Sequence, residues 1–156
     1  MKKISLIVYD FDGVMTDNKV YIDQNGNEMV KVNRADGLAI SEITKLGIQQ
    51  IILSTEVNPV VAQRAMKLQI PYLQGIDIKK DSLIDYCKIN DIDIRQVAYV
   101  GNDINDKDTM KIVGITFSPS DAHHSIHSIS DHILNSKGGD GIIRELLDYL
   151  IQQKEL

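Results

Sequence analysis

The chain opens with Ile4-Ser5-Leu6-Ile7-Val8-Tyr9-Asp10-Phe11-Asp12-Gly13, an apolar run that ends in two aspartates and a glycine. A short apolar run bounded by a glycine predicts a buried strand of a parallel sheet, and the carboxyl ends of such strands are where open α/β sheets bind ligands. Because alternate strand residues share a face, Asp10 and Asp12 both approach this edge while Phe11 points into the core. Two neighbouring carboxylates repel each other unless a cation or a shared proton intervenes, so this stretch predicts a Mg²⁺-assisted site.

The composition describes an ordinary soluble globular protein of about one domain. The chain has 156 residues, of which 43% are hydrophobic and 25% charged, and it has no Trp. A net charge of -5, with no basic stripe of interleaved aromatics, argues against a nucleic-acid partner. The apolar run after Lys2 and Lys3 is too short for a signal peptide or a membrane span. Cys87 is the single cysteine, so we expect no disulfide framework and a reducing compartment, the cytoplasm.

Strand-like and helix-like segments alternate, which predicts βαβ units and a mostly parallel sheet with helices on both faces. A β-hairpin interrupts the alternation, because Asn25-Gly26 is a strong turn signal between two apolar segments. No repeat or linker stands out, so we expect one domain over residues 1–156. The predicted strands cover residues 4–9, 20–22, 29–32, 51–53, 72–73, 97–100, 115–117 and 132–134. The predicted helices cover residues 36–46, 59–68, 80–89, 105–113 and 142–153.

Polar segments follow predicted strands at residues 10–17, 54–56, 79–80 and 101–106. Together they supply the elements of phosphoryl transfer: a carboxylate nucleophile, a second carboxylate for proton transfer, a hydroxyl and an ammonium for the phosphate oxygens, and a further metal carboxylate. Any single aspartate at such a place is more often a helix cap or a solvated turn. The ordered set favours the catalytic interpretation.

This ordered set resembles the haloacid dehalogenase superfamily, whose phosphatase signature is Asp-x-Asp-x-Thr/Val followed by Ser/Thr, Lys and an acidic motif. The resemblance covers nearly the whole chain and is closest to the capless branch of 3-deoxy-manno-octulosonate 8-phosphate and nonulosonate 9-phosphate phosphatases. The same module forms the C-terminal domain of some acylneuraminate cytidylyltransferases. The supporting segments are residues 10–14 with Thr16-Asp17, Asn33, Asp36-Gly37-Leu38, Gln74-Gly75, residues 101–106, residues 138–141 and Arg144-Glu145.

The resemblance implies a Rossmann-like three-layer α/β fold of haloacid dehalogenase type, without a cap domain and with a β-hairpin insertion. It implies a Mg²⁺-dependent sugar phosphatase of surface-polysaccharide precursors, such as those of lipopolysaccharide or sialic acid. Asp10 would attack phosphorus and form an aspartyl-phosphate, while Asp12 would protonate the leaving oxygen and then activate water. The carboxylates of Asp10 and Asp103 and the backbone carbonyl of Asp12 would hold Mg²⁺, with Asp106 in support.

The same resemblance implies the phosphate contacts. Ser54 would donate a hydrogen bond to the phosphate, with its neighbour Thr55 as the weaker candidate. Lys79, four residues after Gly75, would neutralise the phosphate and the nucleophile. Lys80 remains the alternative register, because the sequence does not determine which ammonium points inward.

Position 56 departs from the commonest octulosonate-phosphate pattern, which has Thr-Gly-Arg where this chain has Ser54-Thr55-Glu56. An Arg there could meet a sugar carboxylate, whereas Glu56 could accept hydrogen bonds from hydroxyls or pair with an amine. Arg64 and Lys67, at i and i+3 of one predicted helix, could supply cations to the substrate, although a solvated helix face is the alternative. Asn102 in place of Asp also resembles the sialic-acid branch. A nine-carbon ulosonate phosphate is therefore at least as plausible a substrate as the eight-carbon one.

The hairpin is too small to fold alone, and its apolar residues need a partner. In the resembling family such hairpins assemble a tetramer, and a neighbour's C-terminal segment, here residues 138–141, helps to close the site. We therefore expect a homotetramer with intersubunit active sites.

Two other functions compete with catalysis. One is a non-catalytic oligomerisation module, like the cytidylyltransferase domain. The other is a phosphorylated receiver domain, which would not need Asp12 as an acid and base. Retention of the whole catalytic set favours an enzyme; that set is Asp10, Asp12, Lys79 and Asp103.

Overall fold

A computed structural model describes residues 3–154 of the chain. Its strands are β1 (Leu6–Tyr9), β2 (Tyr21–Ile22), β3 (Glu28–Met29), β4 (Gln49–Leu53), β5 (Tyr72–Leu73), β6 (Val97–Val100), β7 (Ile115–Ser118) and β8 (His132–Ile133). Its α-helices are α1 (Arg34–Lys45), α2 (Val60–Leu68), α3 (Lys79–Ile89), α4 (Lys107–Met110), α5 (His124–His127) and α6 (Ile142–Lys154). No helix within residues 3–154 is long and apolar enough to cross a membrane.

The main sheet has six strands in the order β5-β4-β1-β6-β7-β8, and all of its pairs are parallel. β1 is central, pairing on one side with β4 and on the other with β6, and its residues are fully buried. The chain first builds the sheet towards β5 and then returns to the other side of β1. The carboxyl end of β1 is therefore the switch point of the topology, where open α/β sheets bind ligands. The predicted fold class is confirmed.

Each face of the sheet carries its own apolar layer. Ile7 and Tyr9 of β1 pack with helices α1, α2 and α6, whereas Leu6 and Val8 pack with α3, α4 and α5. Alternation along one strand thus divides the core into two halves, as the pleat requires. Cys87 belongs to the second layer, where burial raises the pKa of its thiol.

The predicted hairpin is confirmed, but its strands are shorter than the apolar pattern suggests. β2 and β3 are antiparallel, with Tyr21 paired with Met29 and Ile22 paired with Glu28. A bridge between Thr16 and Val32 ties its base to the loop after β1. The hairpin therefore stands beside the carboxyl end of β1.

Other boundaries differ from the sequence prediction for local reasons. α1 begins at Arg34 because Asn33 caps it, accepting a hydrogen bond from the Ala35 N–H at 2.8 Å. The predicted helix over residues 105–113 is shorter, because a 3₁₀ turn at Ile104–Asp106 precedes α4. The short helix α5, in a polar stretch rich in Ser and His, was not predicted.

A glycine segment at residues 138–141 packs against the loop after β1. The Gly139 N–H donates to the Val14 carbonyl at 3.0 Å, and the Asn33 side chain donates to the Gly139 carbonyl at 3.3 Å. A Cβ at Gly138 would collide with the Gly13 carbonyl. These contacts place the segment beside the loop that carries Asp12 in its own chain.

We predict that Gly139→Ala destabilises the fold more than Gly47→Ala does. Both glycines have left-handed φ angles, 77° and 79°, so each substitution adds backbone strain of about 1 to 2 kcal/mol. A Cβ at Gly139 would in addition lie 2.6 Å from the Asp17 nitrogen, whereas a Cβ at Gly47 would meet nothing within 4 Å. Urea unfolding of both variants measures the difference, and equal losses of stability would contradict the prediction.

Candidate active site

The carboxyl ends of β1 and β6 and the first residue of α3 bring three charged side chains together. The Lys79 ammonium nitrogen lies 2.8 Å from Asp10 Oδ1 and 2.8 Å from Asp106 Oδ1. The Lys79 side chain is only 1% exposed, so this ion pair network is buried. The structure places Lys79 in the site, and Lys80, the alternative from sequence, is half-buried on α3.

One ammonium faces two carboxylates in this network. Burial raises the pKa of Asp10 to about 8, and the charge of Asp106 adds to the effect while Lys79 opposes it. Burial by itself would lower the pKa of Lys79, but the charges of Asp10 and Asp106 raise it overall. Lys79 is therefore a cation, and Asp10 needs a further positive charge nearby to be a full anion.

Asp106 holds Lys79 from a rigid position. Its Oδ1 accepts a hydrogen bond from the Tyr99 hydroxyl at 2.7 Å, and its Oδ2 accepts from the backbone N–H of Asn102 at 2.9 Å. Gly101 leaves room for this carboxylate, since a Cβ there would lie 2.8 Å from Asp106 Cβ. The sequence predicted that Asp106 supports the metal ligands. In the structure, its side chain forms an ion pair with Lys79.

Asp12 occupies a different environment from Asp10, although the two are separated by one residue. The Thr16 hydroxyl donates to Asp12 Oδ1 at 3.3 Å and accepts in turn from the backbone N–H of Gly13 at 3.2 Å. Partial burial raises the pKa of Asp12, and the charge of Glu56 raises it further. A carboxyl group that retains its proton more readily is suited to donate it to a leaving group.

An amide side chain lies between Asp10 and Asp12. One terminal atom of the Asn102 amide is 2.9 Å from Asp10 Oδ2 and 2.9 Å from the Asp12 backbone carbonyl. With nitrogen in this place, the amide donates to both oxygens; with oxygen there, three oxygens face one another. A carboxylate, a carbonyl and an amide oxygen are ligands that Mg²⁺ accepts.

Asp103, predicted as the third metal ligand, caps a turn in this structure. Its Oδ1 accepts from the Ile104 N–H at 2.7 Å, at the start of the 3₁₀ turn. The strand ends at Val100, so the side chain that reaches the cleft is that of Asn102. Within the described residues no three His, Cys, Asp or Glu side chains form a metal-binding group. Of the three groups that converge at Asn102, only Asp10 contributes a carboxylate oxygen.

The loop after β4 presents one buried hydroxyl. Ser54 is buried, and its Oγ accepts from the Glu56 N–H at 3.1 Å, which leaves its hydroxyl hydrogen free to donate. Thr55 is exposed. The Glu56 carboxylate accepts from the N–H groups of Val57 and Asn58 at 2.8 and 2.9 Å. These bonds hold Glu56 near Asp12.

Two cavities contain the charged residues that the sequence predicted for substrate binding. A cavity of about 230 Å³ is lined by Asp12, Glu28 and Glu56, together with Asn18, Val20, Val30, Asn58 and Val60. A second cavity, of about 410 Å³, lies between α1 and α2 and carries the cationic residues Arg34, Arg64 and Lys67. The two cavities share no lining residue, and Arg64 and Lys67 line only the second of them.

Arg64 itself is anchored within its own chain. Its guanidinium donates to the Asn33 carbonyl at 3.0 Å, and its Nε is buried without a hydrogen-bond partner among the described residues. A further cavity of about 300 Å³, at the amino ends of the strands, contains no carboxylate and lies away from Asp10.

Sequence reasoning missed the side-chain roles of Asn102, Tyr99 and Asp36. Asn102 directly follows the glycine at the end of β6, which is a readable signal for a ligand position. Tyr99 lies inside an apolar strand and gives no such signal. Asp36 accepts hydrogen bonds from the N–H groups of Ile143 and Arg144, at 3.0 and 3.3 Å, and so caps a helix 107 residues away. Only the fold reveals that contact.

The chain is similar in sequence to known phosphatases. The sequence model of the haloacid dehalogenase-like hydrolase family matches residues 73–146. The 3-deoxy-D-manno-octulosonate 8-phosphate phosphatase of Haemophilus influenzae is 30% identical over 97% of this chain and 85% of its own length. The enzyme of the same name from Escherichia coli K12 is 32% identical over 96% of this chain and 80% of its own length.

Solved structures are similar over almost the whole chain. A HAD family protein from Streptomyces avermitilis has a TM-score of 0.92 and 44% identity, and the match covers 94% of this chain and 84% of that one. The 3-deoxy-D-manno-octulosonate 8-phosphate phosphatase of Moraxella catarrhalis, solved with a magnesium ion, a phosphate ion and KDO, has a TM-score of 0.92 and 28% identity. That match covers 97% of this chain and 87% of the other.

We predict that Asp36→Asn removes a pH-dependent part of the stability. Burial raises the pKa of Asp36 to about 6, although the N–H groups of Arg144 and Ile143 and the charge of Arg64 oppose the shift. Between pH 4 and 6 the folded state therefore binds more protons than the unfolded state, and the contribution of Asp36 to stability falls as pH rises.

Urea unfolding at several pH values from 4 to 7 measures this effect. The free energy of unfolding of the natural protein, relative to the Asp36→Asn variant, should decrease as pH rises through this range. Parallel pH profiles for the two proteins would contradict the assigned shift.

Proposed function

The chain belongs to the haloacid dehalogenase-like hydrolases of the 3-deoxy-D-manno-octulosonate 8-phosphate phosphatase family, and on that basis we propose that it is a Mg²⁺-dependent phosphatase of ulosonic acid phosphates. The observation that carries the proposal is the buried contact of Asp10 with Lys79, beside an Asp12 whose pKa is raised. A nucleophile held by a cation and a neighbouring proton donor are the two groups that phosphate-ester cleavage requires.

Mg²⁺ fits the oxygens at this place. Asp10 Oδ2, the Asp12 carbonyl and the Asn102 amide converge, and within the described residues Lys79 is the only cation paired with Asp10. These three groups would hold the ion, with Asn102 in the place first predicted for Asp103. When bound, Mg²⁺ neutralises charge on the phosphate and on the nucleophile.

The residues of the chain then divide the reaction. A carboxylate oxygen of Asp10 attacks phosphorus, the bond to the sugar oxygen breaks, and Asp12 gives its proton to that oxygen. Asp12, now a base, removes a proton from water, whose oxygen attacks the phosphorus of the aspartyl-phosphate. The bond between phosphorus and the Asp10 oxygen breaks, which releases inorganic phosphate and restores the Asp10 carboxylate. Lys79 and the Ser54 hydroxyl bind the phosphate oxygens throughout. Thr55 is exposed, which favours Ser54 for this contact.

The acidic cavity limits which part of the substrate lies next to the phosphate. Glu28 and Glu56 face Asp12 there, and their charges raise its pKa. Carboxylates accept hydrogen bonds from hydroxyls or an amine and repel another carboxylate. A sugar chain with hydroxyls near the phosphate and its carboxylate at the far end satisfies this cavity, and both eight-carbon and nine-carbon ulosonate phosphates have that arrangement.

The sugar carboxylate needs cations that the acidic cavity does not contain. Arg64 and Lys67 line a separate cavity of the same chain. A neighbouring protomer that presents its own Arg64 and Lys67 to the cavity of Asp12 and Glu56 would supply these cations, and this is the arrangement of a homotetramer with intersubunit active sites.

Side-by-side kinetics with Mg²⁺ on 3-deoxy-manno-octulosonate 8-phosphate and on an acylneuraminate 9-phosphate tests the function. We expect turnover of both, with kcat/KM for the nine-carbon compound at least equal, because Glu56 replaces the arginine of the octulosonate pattern. A large preference for the eight-carbon compound would overturn the nine-carbon assignment and leave the phosphatase assignment standing.

Two controls belong to this assay. Asp10→Asn should lower kcat by at least about three orders of magnitude, because the amide is not a nucleophile, while the variant remains folded and assembled. Removal of Mg²⁺ with EDTA should abolish turnover of the natural protein, and Mg²⁺ should restore it. Absence of turnover on every ulosonate phosphate, in an assembled protein, would favour the non-catalytic oligomerisation module.

The hairpin supplies an apolar surface for assembly. Tyr21 is 70% exposed, Ile22 65% and Met29 66% in the single chain. We predict that Tyr21→Asp dissociates the tetramer and reduces turnover, because the charge opposes burial of this surface. Light scattering and the phosphatase assay measure both effects. Ile89→Asp is the matched control, since Ile89 is 83% exposed on α3 and away from the hairpin; a stable, fully active monomer of the natural protein would contradict the prediction.

A further inference from the structure

We propose that the Asn102 amide reverses its orientation when the metal binds: its nitrogen faces Asp10 and Asp12 in the metal-free protein, and its oxygen faces the ion in the loaded protein. The inference deepens the Mg²⁺ site of the proposed function, but it concerns only binding of the ion and not the identity of the sugar. In the metal-free protein, the Asn102 NH₂ group takes the place of the cation between Asp10 and Asp12.

The inward place of the amide is surrounded by acceptors. Asp10 Oδ2 and the Asp12 carbonyl each lie 2.9 Å from the inward terminal atom of Asn102. The Asp12 carbonyl has no proton to donate, and Asp10 Oδ2 keeps acceptor lone pairs, so nitrogen in this place donates to both neighbours, whereas oxygen would face the carbonyl oxygen. In the metal-free protein the NH₂ group therefore bridges the two oxygens that would otherwise repel each other.

A half-turn about the Cβ–Cγ bond exchanges nitrogen for oxygen without changing the outline of the side chain. The exchange presents a third oxygen to Asp10 Oδ2 and the Asp12 carbonyl, which is unfavourable alone and favourable around a cation. The amide therefore favours nitrogen inward without the ion and oxygen inward with it.

The rest of Asn102 is held still, so the amide is the part that moves. Its backbone N–H donates to Asp106 Oδ2 at 2.9 Å, and its carbonyl accepts from the His123 N–H at 2.8 Å. The outer end of the amide packs against Gly13, in space that a Cβ would occupy. A fixed backbone keeps the amide in reach of both partners in either orientation.

An aspartate at this position could not bridge the two oxygens as an anion. It would add a third negative charge to Asp10 and Asp106, whose charges Lys79 alone offsets in the described site. The amide therefore gives a metal-free site that is more stable and a Mg²⁺ affinity that is weaker than a carboxylate would give.

Isothermal titration with MgCl₂, and thermal unfolding in EDTA, test these opposite effects. For Asn102→Asp we expect Mg²⁺ to bind at least about tenfold more tightly and the metal-free protein to unfold at a lower temperature. For Asn102→Ala we expect binding about tenfold weaker and also a lower metal-free unfolding temperature, because both the ligand and the bridge are lost. Asn102→Asp with unchanged affinity, or with unchanged metal-free stability, would overturn the proposal.

Asp103→Asn separates this assignment from the one suggested by the sequence. We expect its Mg²⁺ affinity to equal that of the natural protein, because the Asp103 carboxylate caps a turn. A loss of affinity in this variant would return the ligand role to Asp103 and overturn the role of Asn102.

Nuclear magnetic resonance of the natural, ¹⁵N-labelled protein observes the amide directly and needs no variant that could fail to fold. The Asn102 NH₂ signals are identified by their absence in Asn102→Asp. They should show slow hydrogen exchange in EDTA, and saturation with Mg²⁺ should shift them and accelerate the exchange. Signals that Mg²⁺ leaves unmoved would overturn the reversal. None of these measurements uses turnover, so a protein inactive on every ulosonate phosphate would refute the proposed function while leaving this inference testable.

Discussion

The rest of the site depends on a buried ammonium that must serve two carboxylates. Lys79 lies 2.8 Å from both Asp10 and Asp106, with almost no contact with water. Removing Lys79 would be costly, about 3 to 5 kcal/mol, because two carboxylates would be left buried without a cation. The arrangement also leaves one negative charge in excess, which a proton or a cation must balance. Binding of an ion beside Asp10 would therefore also control whether Asp10 is ionised and able to act as a nucleophile.

The charged groups of the site are held in place by contacts from different parts of the chain. Asp106 is held by the Tyr99 hydroxyl and by backbone N–H groups, so Lys79 has a stationary anchor independent of Asp10. The loop that carries Asp12 is supported from behind by Gly138 and Gly139, which pack too closely against it to admit side chains. The geometry of the two aspartates follows from these supports and from the end of β1.

The sequence predicted more of the fold than of the site's finer contacts. The central strand, the parallel sheet and the hairpin follow from apolar runs and one turn signal, which are local properties. The choice between Lys79 and Lys80 needed the helix to begin at residue 79 and point its first side chain inward. The sequence did not show that Asp103 caps the next turn while Asn102 faces the aspartates, because a motif read as letters does not give the direction of each side chain.

By itself, the sequence determined the reaction class, since the order of Asp10, Asp12, a hydroxyl, a lysine and an acidic segment is preserved along the chain. The tertiary structure decided how these groups interact: that Lys79 is shared with Asp106, that Asn102 faces the aspartates, and that Arg64 and Lys67 line a cavity apart from Glu56. The physical reason is that residue type sets what a group can do chemically. Burial, distance and the direction of each side chain depend on contacts between segments far apart in sequence.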